Sequence, residues 1–227
     1  MAHQAGNLRF EQITAASPET LGLSMLKSNV HATRLDHRAR LAAVSDALAD
    51  GVATAKTMRD RFPGLAPREI ARELQVPVEA IDDDPLVGSI WRFAEYRPRP
   101  SRIVLYRRGL APLERALVGN LATRLLGVAS THDVFIAHEL YHHAEAVRAE
   151  APIARRHQLT LLRIGPWKWR TGIATLAEIA AGAFAQSLLD LPCHPKVLDF
   201  VVRSLLPDDG DGLADAAVPK LEARTKL

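Results

Sequence analysis

"VFIAHELYHHAEA", residues 134–146, holds three of the chain's nine histidines and two glutamates between apolar flanks. Inside it, His138-Glu139-Leu140-Tyr141-His142 has the pattern H-E-x-x-H. Residues four apart on an α-helix share a face and lie about 6 Å apart. Two imidazoles at that spacing can converge on one zinc ion, and the glutamate beside the first can take a proton from a water that the metal activates. Scattering the observed histidines and glutamates at random over 227 residues gives roughly 0.02 such matches. The apolar "VFIA" puts the first histidine on a buried helix, against the competing reading of an exposed histidine-rich face. Ser130 or Thr131 serves as N-cap, Asp133 lies in the first turn and Pro152 supplies the stop.

A zinc that performs chemistry takes three protein ligands and keeps its fourth position open. Glu145 shares the face of His138, but seven residues rise about 10.5 Å, too far for a common ion. The third ligand is therefore expected from another helix. Glu178 is the candidate: it is the only acid between Glu150 and Asp190 and it lies in an otherwise apolar segment. A buried carboxylate is costly unless paired or bound to metal. An ion pair with Arg170 is the alternative. His143, about 100° round the helix from His142, is read as outer or surface, and Tyr141 as packing. His194 beside Cys193 is read as incidental.

Composition sets the frame. Hydrophobic residues are 48% and aromatics 5%, and the many Ala, Leu and Arg favour helices. A net charge of +3 is too weak to argue for nucleic acid. With one cysteine, Cys193, no internal disulfide forms, which suits a reducing compartment. "MAHQAGNLRFEQ" has no apolar core of a secretory signal. "TGIATLAEIAAGAFAQSLLDL" is interrupted by Glu178 and Gln186, so no span is expected. The reading is a cytoplasmic protein with no membrane partner.

Along the chain, "ETLGLSMLKSNV" and "ATRLDHRARLAAVSDALADGVATAKTMRDRF" read as helices, broken at "FPGLAP". "PREIARELQVPVEAIDD" has the cadence of a helix-turn-helix. Two small packed helices are the weightier reading, because the turn lacks glycine and Arg68 and Arg72 fall on the first helix. "RIVLY", bounded by Pro and Gly, is the clearest strand. "APLERALVGNLATRLLGV", "IATLAEIAAGAFAQSLL" and "HPKVLDFVVRSLL" are further helices. "IARRHQLTLLRIGPWKWRTG" is irregular with a short strand at 158–163. "PDDGDGLADAAVPKLEARTKL" reads as a mobile tail.

"IAHELYHHAEA" followed by "EIAAGAFAQSLLDLP" resembles the ImmA/IrrE-type metallopeptidase domain. "PREIARELQVPVEAI" and "YRPRPSRIVLY" fall in that family's usual order, and the resemblance covers residues 66–192. It implies an α+β, mostly helical, zincin-like fold with a small sheet beside the H-E-x-x-H helix. The implied organisation is a helical extension at 1–65, the domain at 66–206 and the tail at 207–227. It also implies a gluzincin: Zn2+ held by His138, His142 and Glu178, with Glu139 as general base. Where the family carries a second acid and an asparagine, this chain has Ala180 and Gly182, and Pro192 comes one residue late.

The function expected from the resemblance is hydrolysis of peptide bonds in a protein substrate, as family members do with a repressor in a stress response. An edge strand near "RIVLY" would hold the substrate by strand addition. His157 and Tyr106 are candidates for the oxyanion donor. The alternative is a regulatory module that binds DNA or protein, with a structural or decayed zinc site.

Overall fold

The computed structural model describes residues 14–205 except 28, 89 and 166. The tail expected at 207–227 lies outside the described residues. The chain is α+β and mostly helical. Among the described residues no helix is long and apolar enough to cross a membrane.

Two helices open the described chain, α1 (Pro18–Lys27) and α2 (His37–Arg61). Asp36 caps α2 by accepting the Ala39 amide at 2.7 Å, which satisfies an otherwise orphaned donor. A short α3 (Pro67–Glu73) follows the "FPGLAP" break. Here the structure corrects the sequence. No second helix follows α3. Val78–Ile81 is strand β1. Gln75 takes a left-handed φ of 58°, its amide reaches Arg72 O, and the Val76 amide reaches Ala71 O at 2.8 Å. That paired closure ends a helix, and Pro77 cannot resume it. A recognition helix of the helix-turn-helix type is thus absent at this point.

After β1 come a small hairpin, β2 (Leu86–Val87) with β3 (Ile90–Trp91), then β4 (Ala94–Pro98) and β5 (Ser101–Tyr106). "RIVLY" falls in β5, as expected. It is the middle of a three-stranded sheet ordered β1-β5-β4, parallel to β1 and antiparallel to β4. The sheet edges are therefore β1 and β4.

The helix expected at 111–128 is two, α4 (Arg107–Ala116) and α5 (Asn120–Leu126). Gly119, with φ 57°, separates them. Then come α6 (Thr131–Val147), a one-turn α7 (Ile153–Arg156), a β6 (Leu159–Ile164)–β7 (Trp167–Thr171) hairpin, α8 (Thr175–Leu189) and α9 (Val197–Leu205). The β7 half of that hairpin was not legible as a strand.

The layers run sheet, α6, α8, α2. β4 and β5 pack on one side of α6, α8 on its other side, and α2 covers α8. Phe93 stacks on Phe135 at 4.6 Å between ring centroids, joining the sheet side to α6. α8 is buried over most of its surface, through Leu176, Ile179, Ala180, Ala181, Phe184 and Ala185, as a helix sandwiched between two others must be. Gly51 of α2 allows the closest approach: a Cβ there would lie 2.2 Å from Ala180 O. The core thus draws on α2, within residues 1–65, as well as on the elements that follow.

Candidate metal centre

α6 is fixed at its start by a capping box. Ser130 Oγ accepts the Asp133 amide at 3.1 Å, and Asp133 Oδ2 accepts from the Ser130 hydroxyl at 2.6 Å and the Ser130 amide at 3.3 Å. Val134, Ile136, Ala137, Leu140 and Tyr141 bury the helix. With those positions turned inward, His138 and His142 fall one turn apart and face the first turn of α8, where Glu178 stands.

The three side chains meet. His138 Nε2 lies 3.2 Å from Glu178 Oε2. His142 Nε2 lies 3.5 Å from Glu178 Oε1. One ligand atom from each of the three lies within 4.8 Å of the others. Zinc bonds of about 2.0–2.1 Å in a tetrahedron put ligand atoms about 3.3 Å apart, and each histidine lies near that distance from its own oxygen of Glu178. Among the described residues this is the one cluster able to hold a metal. The chemistry of the set, two imidazoles and a carboxylate, suits a first-row divalent metal ion.

Glu178 is not the buried carboxylate the sequence argument assumed. Its side chain is 53% exposed and it sits in the first turn rather than mid-helix. Arg170 is on the exposed β7 strand, and the acid pairs with the two histidines instead. Neighbours that displace part of the water around the carboxylate raise its pKa, but the His138 hydrogen bond and the charges of His138, His142 and Lys196 outweigh that and hold it at about 2. Burial works the other way on His142, pushing it down to about 4 with help from His138. A neutral His142 is ready to ligate.

Glu139 is buried, with 7% exposure. Its Oε2 accepts the Tyr96 backbone amide of edge strand β4 at 2.7 Å. Burial raises its pKa to about 7, against the His138 charge. A carboxyl poised near neutrality can both take and return a proton.

The other residues singled out in the sequence are engaged elsewhere. Glu145 accepts the Ile153 amide at 2.8 Å and pairs with Arg148. His143 is buried, with Nδ1 at 3.1 Å from the Tyr96 hydroxyl. Tyr141 is packing, and its hydroxyl also donates to Asp50 at 2.6 Å. Neither proposed oxyanion donor is free: the Tyr106 hydroxyl donates to Glu95 at 2.6 Å, and His157 Nε2 pairs with Asp46 at 3.0 Å.

No protein-family model, curated protein or solved structure matches the chain.

One residue near the centre was read as incidental. His194 is buried, and its ring lies over Gly182, where a Cβ would come within 2.4 Å of Cε1 and 2.5 Å of Nε2. Gly182 is one turn after Glu178, on the same side of α8. His194 Nδ1 accepts the Lys196 amide at 3.2 Å, so the neutral ring carries its proton on Nε2. Burial, and then the His138 charge, push its pKa down to about 4. The sequence held one signal: the glycine at 182. Cys193 takes no part, its thiol donating to Leu125 O at 3.4 Å.

Proposed function

We propose that the protein is a zinc-dependent endopeptidase, a gluzincin of the ImmA/IrrE type, acting on a protein substrate. The observation that carries this reading is the convergence of His138, His142 and Glu178 from two helices, with Glu139 buried beside them. His138, His142 and Glu178 would hold the ion. When bound, zinc supplies a Lewis acid that acidifies water and polarises a carbonyl.

The residues divide the work. Glu139 takes a proton from the attacking water as the oxygen bonds to the peptide carbon. It returns that proton to the nitrogen as the C–N bond breaks, giving a carboxylic acid and an amine. The Tyr96 amide holds the Glu139 side chain beside the β4 edge. That edge offers main-chain groups to an extended substrate, by the strand addition expected near "RIVLY". His194, with its Nε2 proton, is the better candidate than His157 or Tyr106 for a donor near the centre.

The test uses the zinc-loaded chain on a mixture of unstructured peptides, reading new N-termini by mass spectrometry. The proposal expects cleavage by wild type and none by Glu139→Gln at equal zinc content. A Glu139→Gln chain that cleaves as fast as wild type would refute the role of Glu139. The alternative reading, a regulatory DNA- or protein-binding module with a structural zinc site, predicts zinc in both chains and cleavage by neither.

A further inference from the structure

Between Ala151 and Ala177 the chain carries five cations, Arg155, Arg156, Arg163, Lys168 and Arg170, and no acid. The middle of that stretch forms β6 and β7, a two-stranded sheet of its own. Gly165, at φ 58°, makes its turn. The register sets Leu162 against Trp169 and Ile164 against Trp167. Side chains two apart on a strand share a face, and so do cross-strand partners. These four therefore form one apolar face. All are exposed, from 50% at Leu162 to 79% at Trp167. Arg163 and Arg170 alternate onto the opposite face and are exposed too.

We propose that this hairpin docks the protein on an anionic lipid surface. An exposed contiguous apolar face marks a partner surface. Its chemistry selects the partner. Indole rings are apolar with one N–H and settle at the headgroup level of a bilayer. A cationic polar face opposite an apolar one is the arrangement of elements that lie in the interface plane. Cations at that depth stay within a Debye length of anionic headgroups. Single-stranded nucleic acid fits less well, because bases stacked on the tryptophans would leave their phosphates on the side away from the arginines. A protein partner fits less well too, because four side chains fall short of the roughly 800 Å² per partner of a stable interface. The absence of a spanning segment, on which the sequence reading excluded a membrane partner, does not bear on a peripheral contact.

The test is co-sedimentation of the full chain with phosphatidylcholine vesicles, with and without about a third phosphatidylserine. Tryptophan emission is read alongside. Wild type should sediment with the anionic vesicles, shift its emission to the blue and be released by salt. Trp167→Ser/Trp169→Ser and, separately, Arg163→Glu/Arg170→Glu should each weaken partition roughly tenfold or more. All four positions are exposed, and circular dichroism verifies the fold of each variant. No partition, equal partition into neutral vesicles, or partition unchanged in the tryptophan variant would overturn the proposal. Tighter binding to a single-stranded oligonucleotide than to anionic vesicles, lost in the same variants, would overturn it in favour of nucleic acid.

Discussion

Tyr141 and Asp50, 91 residues apart, share a 2.6 Å hydrogen bond that ties the His138-Glu139-x-x-His142 helix to α2. Asp50 also takes Arg148 at 3.0 Å and Arg156 at 2.7 Å. Its side chain is nearly closed to solvent, so these partners replace water. Tyr141→Phe removes one hydrogen bond and leaves Asp50 its two arginines, and should cost about 1–2 kcal/mol. Asp50→Ala takes the nearer acid from two partly buried arginines, leaving Arg148 with Glu145 at 3.4 Å and Arg156 with Asp46 at 4.0 Å, and should cost about 3 kcal/mol. Urea unfolding measures both. A smaller loss for Asp50→Ala than for Tyr141→Phe would contradict this account of the network.

Acid should attack the same point. Burial pushes the Asp50 carboxyl up, but the Tyr141 hydrogen bond and the arginines outweigh burial and hold its pKa below the ordinary 3.8. A depressed carboxylate binds fewer protons in the folded state than in the unfolded one. Its stabilisation is complete above the unfolded pKa and is lost as pH falls through the folded one. Below about pH 4, wild type should therefore lose stability more steeply than Asp50→Asn. Parallel stability curves for the two chains would refute this.

Gly182 and His194 should behave as a coupled pair. A methyl at 182 meets the imidazole at 2.4 Å, so Gly182→Ala should cost about 1–3 kcal/mol. Adding His194→Ala should recover much of that loss, a coupling that a double-mutant cycle measures directly. Additive losses would mean that the ring does not occupy that space.

Local pattern was legible and long-range consequence was not. The four-residue spacing of His138 and His142 and a cap of α6 at Ser130 or Thr131 could be read, because both are short-range; the structure places the cap at Ser130. "RIVLY" announced its strand by β-branched residues between a proline and a glycine. Glu178 was found by elimination, yet the premise of its burial was wrong, since α8 begins only three residues before it. β1 was misread because Ile70, Leu74 and Ile81 keep a helical period across the closure at Gln75. The fit of His194 over Gly182 joins a helix to the loop that follows it, and only tertiary packing reveals it.

Metal removal should loosen the junction of α6 and α8, since a ligand bound only by the native state stabilises it by mass action. A chelator should lower the melting temperature clearly, and zinc should restore it. A melt unchanged on verified metal removal would mean that no ion bridges the two helices.

Zinc content per chain, measured by elemental mass spectrometry on wild type, Glu139→Gln and Glu178→Ala prepared alike, tests the central claim most directly. The account predicts about one zinc in the first two and far less in Glu178→Ala, because the proposed site uses Glu178 as a ligand and Glu139 as the base. A wild-type chain that holds no zinc after reloading, or a Glu178→Ala chain that holds as much as wild type, would contradict it.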